Sequence, residues 1–136
     1  MKIFYLLLLT FTSIALNSNG QTENKAPKIE TLAIDGKKAP SRVPLNPGEK
    51  YLIKVTATDP ENDPLQARWE LFSQTELTEA VKEKRKPVAI PDMVTGTLQN
   101  VILDVPIKQG NYRLFLHLTD SHKNLTTASI DLLVLL

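Results

Sequence analysis

Apolar side chains recur at every second position along most of this chain, a period that marks strands with one face buried and one wet. The clearest run is Glu49 to Thr58, where Tyr51, Ile53, Val55 and Ala57 share one face and Leu52, Lys54, Thr56 and Thr58 the other. Tyr112 to Asp120 repeats the pattern, with Tyr112, Leu114, Leu116 and Leu118 inward against Arg113, Phe115, His117 and Thr119. Thr126 to Leu136 does so with Ala128, Ile130, Leu132 and Val134 inward. Lys28 to Ile34 is a shorter β-prone run closed by Asp35-Gly36, a dipeptide suited to a tight hairpin turn. Between Leu98 and Val105 two parities compete, and the odd set Val101, Leu103 and Val105 is the one expected inside. Leu65, Ala67, Trp69 and Leu71 share one face of a further strand, which makes Trp69 the heaviest expected core residue.

Prolines and glycines punctuate these runs. Pro40 and Pro44 cannot donate to a sheet ladder, so Lys37 to Leu45 belongs at an edge or in a loop. Asn46-Pro47-Gly48 reads as a turn, and Asp59-Pro60-Glu61-Asn62-Asp63-Pro64 as a rigid acidic corner leading into the Trp69 strand. Pro87 to Ile90 reads as a short edge strand. Ser73 to Lys86 breaks the alternation; Leu77, Ala80 and Val81 stand three and four apart, but Lys82-Glu83-Lys84-Arg85-Lys86 is a solvated charge run, so a mobile loop with one turn of helix is expected. An α/β fold would need helical crossovers between strands, and this segment alone could serve. The pattern therefore predicts an all-β antiparallel sandwich of about seven strands.

The first twenty residues follow a different logic. Lys2 precedes the almost wholly apolar run Ile3 to Leu16, and Ser18-Asn19-Gly20 places small residues where a signal peptidase reads. The run is short for a spanning helix, so residues 1–20 are expected to be a cleavable signal peptide, with no membrane span after cleavage. Cleavage after Gly20 leaves 136 − 20 = 116 residues, divided into a flexible linker (21–26) and one domain (27–136). That length suits a single core. The secreted or periplasmic location this implies invites disulfides, yet the sequence has no cysteine, so packing alone must hold the domain. A net charge of +1 creates no field for nucleic acid, which is not expected as a partner.

Three stretches together carry a resemblance. Leu45-Asn46-Pro47-Gly48, then Val55 to Leu65 with Arg68-Trp69-Glu70-Leu71, then Gly110-Asn111-Tyr112-Arg113-Leu114-Phe115-Leu116 ending in Asp120, resemble an immunoglobulin-like β-sandwich of the PKD and cadherin-like type. More narrowly they look like the C-terminal accessory domain of secreted bacterial glycoside hydrolases, over about Ala26 to Leu136. The resemblance implies an immunoglobulin-like fold and a non-catalytic interaction or structural role beside carbohydrate-degrading enzymes, with a protein or a glycan as partner. The chain departs from PKD domains where Leu71-Phe72-Ser73 stands in place of a Gly-Asp-Gly turn, and no catalytic domain is attached within these 136 residues.

In such a layout the strands ending at Thr58 and Asp120 finish at one rim, bringing Asp59, Glu61, Asp63 and Asp120 together with Ser121, His122 and Asn124. Hard oxygen donors at one place suit Ca²⁺, the one cofactor this sequence suggests. The alternative is that Asp59 and Asp120 cap turns while Glu61 and Asp63 are solvated, and the absence of EF-hand spacing favours it. No catalytic residues are expected. His117 and His122 without cysteine make a poor zinc site, no nucleophile-elbow glycines precede a serine, and paired carboxylates for glycoside cleavage need a deep cleft. For a glycan or protein contact the candidate surface residues are Phe72, Phe115, Arg68, Arg113 and Glu70, with Arg68 and Arg113 both able to pair with Glu70. Asn124-Leu125-Thr126 is a glycosylation sequon or an ordinary turn.

Overall fold

The computed structural model describes residues 23–136. The expected signal peptide lies outside them, as does the first part of the expected linker. Among the described residues nine strands form two sheets, with one helix beside them: β1 (Lys28–Ile34), β2 (Lys37–Lys38), β3 (Val43–Leu45), β4 (Lys50–Thr58), β5 (Gln66–Ser73), α1 (Gln74–Lys82), β6 (Val94–Thr95), β7 (Val101–Asp104), β8 (Gly110–Thr119) and β9 (Leu125–Val134). One sheet has the order β2-β1-β4-β7-β6 and the other β3-β9-β8-β5. The count exceeds the expected seven or so because β2, β3 and β6 are only two or three residues long.

Turn chemistry and parity place these elements. Asp35 (φ 50°) and Gly36 (φ 70°) take the left-handed pair of a type I′ turn, which joins β1 to β2 with Ile34 opposite Lys37. Pro44 sits in β3, an edge strand that runs parallel to β9, where its missing N–H leaves no gap in the ladder. Side chains of the expected parity from both sheets meet in one core: Ile34, Ile53, Val101 and Leu103 from one side, Leu114, Ile130, Leu132 and Val134 from the other. The odd register of β7 is the observed one, with Val101 and Leu103 buried and Ile102 exposed. The two sheets therefore close on each other as a β-sandwich.

Three expectations are corrected. The segment after β5 is a nine-residue α-helix, not a mobile loop with a single turn. Ser73 Oγ accepts from the backbone N–H of Glu76 at 3.1 Å, an N-cap that starts the helix one residue after the strand ends. At the other end Lys84 N–H donates to Val81 O and Arg85 N–H to Ala80 O, with Lys84 left-handed at φ 52°; this is a Schellman closure carried by lysine where glycine is usual. Secondly, Pro87 to Ile90 forms no strand and touches the sheet through the single bridge between Leu71 and Ile90. Thirdly, Trp69 is half-buried rather than central; it faces inward from the edge strand β5 and packs against the margin of the core.

Candidate cation site at the acidic end

β4 and β8 both end at one pole of the sandwich, and the chain turns there twice by the same device. After β4, Asp59 Oδ1 accepts from the backbone N–H groups of Glu61 and Asp63, each at 3.0 Å, while Asn62 N–H donates to Asp59 O at 3.1 Å. After β8, Asp120 Oδ1 accepts from the N–H groups of His122 and Asn124, each at 2.9 Å, while Lys123 N–H donates to Asp120 O at 3.2 Å. Asn62 and Lys123, three residues after the two aspartates, are left-handed at φ 57° and 65°. Both turns are thus aspartate-capped loops in which one carboxylate oxygen gathers two amides.

The turns differ at one position, and the difference decides the chemistry. Four residues after Asp120 stands Asn124, whose Nδ2 donates back to Asp120 Oδ2 at 2.9 Å, so that carboxylate is fully paired. Four residues after Asp59 stands Asp63, whose side chain has no N–H to donate. Among the described residues Asp59 Oδ2 is consequently left with no hydrogen-bond partner, on a residue only 8% exposed. A buried, unpaired carboxylate oxygen carries a large desolvation cost unless a cation or proton meets it.

The geometry supplies a place for such a cation. Ligand atoms of Asp59, Asp63 and Asp120 all lie within 4.8 Å of one another, and Asp120 is 5% exposed. Three hard oxygen donors of this spacing could hold a metal ion of the calcium type, which favours carboxylate and carbonyl ligands and tolerates irregular shells. Donors already lean on the cluster. Asn24 Nδ2 reaches Asp63 Oδ2 at 2.7 Å, His122 Nδ1 lies 3.2 Å from the same oxygen, and Asn124 Nδ2 also reaches Asn24 Oδ1 at 2.7 Å. Burial alone would raise the Asp120 carboxyl, but the Asn124 amide, the two backbone N–H groups and the nearby His122 outweigh it and hold Asp120 below the usual carboxylate range.

Of the four expected rim carboxylates, Glu61 stands outside this group; it is exposed and accepts from the backbone N–H of Lys25 at 3.2 Å. Sequence reasoning overlooked Asn24, which ties the segment before β1 into the corner from 100 positions away from Asn124. The sequon asparagine is Asn124 itself, and its amide nitrogen is committed to Asp120 and Asn24.

Away from this pole, the outer face of β5, β8 and β9 is rearranged relative to expectation. Phe72 is buried at 5% exposure, not a surface contact, and meets Phe115 edge to face at 5.7 Å between ring centres. Arg68 pairs with Glu70 at 2.7 Å as expected, whereas Arg113 pairs with Asp131 at 2.7 Å instead. His117 is half-buried, with Nδ1 3.1 Å from Thr127 Oγ1. Among the described residues no helix is long and apolar enough to cross a membrane.

Comparison with known proteins gives this chain no family. No family model matches the sequence, and no curated protein matches it. Among solved structures it is similar to the crystal structure of a candidate alpha-galactosidase from Bacteroides fragilis, at 12% identity and a TM-score of 0.45, over 82% of this chain and 18% of that one. A likeness at that level carries no argument about activity, and this chain spans less than a fifth of that protein's length.

Proposed function

We propose that this chain is a non-catalytic module of the exported compartment, an immunoglobulin-like sandwich whose acidic pole takes a calcium ion as a clamp between its two aspartate turns. The observation that carries the reading is Asp59 Oδ2, buried beside Asp63 and Asp120 with no donor among the described residues. In the bare site three like charges repel one another across a few ångströms; a divalent cation neutralises most of that charge and replaces the missing donor. Asp59, Asp63 and Asp120 would supply the ligands, with the Asn24 side-chain oxygen close by on the Asn124 amide. The ion would link the β4–β5 corner to the β8–β9 turn, and Asn24 would couple both to the chain that enters β1.

No chemistry is asked of the carboxylates in this reading, since a metal-bound cluster with two buried members is engaged in holding the fold. Export is supported by the order of charged, apolar and small residues in the first twenty positions. Placement beside carbohydrate-degrading enzymes is supported by the sequence resemblance alone. The cation reading is tested by calorimetry and thermal unfolding with and without about 1 mM calcium. A rise of several degrees that chelator reverses and magnesium fails to reproduce is expected. An unfolding temperature unmoved by calcium would end the reading.

A further inference from the structure

We propose that the groove between α1 and the outer face of β8 is a docking site for an acidic peptide segment that presents a large apolar side chain. The groove is open to solvent, has a volume of about 570 Å³, and is walled by Leu77 and Val81 of α1, by Pro87 beyond the helix, and by Phe115 on the sheet. Its floor is fixed, because the Phe115 ring is held edge to face by the buried Phe72. Its outer wall is exposed: Val81 is 77% exposed, and Val88, next to the lining Pro87, is 70% exposed. A helix that docks through Ala80 while leaving valine in water presents apolar surface ready for a partner.

Charge complementarity says which partner. The two ionisable groups on the wall, Lys82 and Arg113, are both cationic, and the exposed Lys84 and Lys86 follow directly. Of the acids in this region, Glu76 and Glu83 pair with Arg85 and Asp131 with Arg113, while Glu79 of α1, which does not line the groove, has no ion-pair partner among the described residues. Lys82, Lys84 and Lys86 also have no ion-pair partner among the described residues, and residues 74–86 carry four cationic against three acidic side chains, so the helix and the run after it have a net charge of +1. An apolar slot with a cationic rim selects an apolar anchor flanked by carboxylates. A glycan fits less well, since Gln74 and Thr78 are the neutral polar side chains on this wall. A bilayer surface fits less well because the slot is concave, lying between a helix and a sheet.

This site goes beyond the cation reading and does not depend on it. α1 starts where β5 ends at Ser73, opposite Tyr112, whereas the acidic corner adjoins the other end of β5, at Gln66 opposite Thr119. The test uses the purified protein labelled with ¹⁵N and a synthetic hexapeptide with phenylalanine and leucine between two pairs of acidic residues. Controls replace the acids with lysine, or the apolar pair with serine. Saturable binding is expected, with amide shifts at Leu77, Val81 and Phe115, weakening about tenfold between about 50 and 500 mM salt. Val81→Glu, at a solvent-exposed position, should weaken binding at least about tenfold while leaving the calcium response of the acidic pole unchanged. Lys82→Glu should act in the same direction. Equal binding of either control peptide, undiminished binding to Val81→Glu, or no binding at about 1 mM would overturn the proposal. So would silence toward the acidic peptide while anionic phospholipid vesicles or a glycan are bound.

Discussion

The indole N–H of Trp69 donates to the backbone carbonyl of Thr97 at 2.8 Å. Trp69 belongs to β5, one edge of its sheet, and Thr97 follows β6, an edge of the other, so this bond ties the two sheets together at an open flank. The ring closes the sandwich at its margin while leucines and isoleucines fill its centre. Trp69→Phe, which removes the donor and keeps most of the ring, should cost about 1 kcal/mol. Trp69→Ala should cost about 2 to 3 kcal/mol, less than full burial would give, and Leu114→Ala at the fully buried centre should cost about as much from a smaller side chain. Denaturant unfolding of the three variants checks this; a Trp69→Phe protein as stable as the parent would show the Thr97 bond to be idle.

Asp59→Asn separates the two things Asp59 does. Asparagine keeps the Oδ1 acceptor for the Glu61 and Asp63 amides and puts an N–H₂ donor where the unpaired oxygen stands. Without calcium the variant should be more stable than the parent by about 1 kcal/mol, because a buried like charge has been replaced by a donor facing carboxylates. With calcium the order should reverse, as the variant loses a charged ligand. A variant less stable than the parent in chelator would mean that the parent's Asp59 oxygen is already satisfied by a proton or water.

The β core was legible in the sequence because period two is a strong signal wherever one face is buried. Tyr112, Leu114, Leu116 and Leu118 could hardly be read otherwise, and each is buried. The acidic pole was half legible: Asp59 and Asp120 each end a strand of the expected direction, but nothing local says that Asn24 lies beside Asn124. The helix was hidden for two physical reasons. Its stop is a left-handed lysine rather than a glycine, and the charge run after Val81 resembles solvated chain until Arg85 is seen folding back on Glu76. The signal that could have found it is Ser73-Gln74-Thr75-Glu76, a serine followed three residues later by glutamate. Phe72 was misplaced because parity alone puts it on the outer face of β5, whereas the Phe115 ring packs against it there and it is 5% exposed.

Ser73→Ala tests whether α1 depends on its cap. The hydroxyl is the side-chain partner of the Glu76 amide, and its loss should destabilise the protein by about 1 kcal/mol. Hydrogen exchange should rise first across residues 74–82, with the sheets still protected. Uniform loss of protection over both sheets would show instead that the helix and sandwich unfold as one unit.

Glu76 gives the helix a pH dependence of predictable sign. Its carboxylate receives Arg85 Nη1 at 2.6 Å and the backbone N–H of Val88 at 2.8 Å, and these contacts, Arg85 first, lower its pKa from 4.5 to about 2. A carboxyl whose folded pKa lies below its unfolded value stabilises the fold at pH above the unfolded value. That contribution should therefore be complete above pH 4.5 and disappear as the pH falls toward about 2. Because the pair is near the surface, salt should weaken it, and the loss should be local, loosening residues 83–88 from α1 before the sheets melt. Glu76→Gln removes the titrating group while keeping an acceptor for Val88, so its stability curve should be flatter than the parent's between pH 4.5 and 2. Parallel curves for parent and variant over that interval would show that the Arg85 contact contributes nothing to the fold in solution.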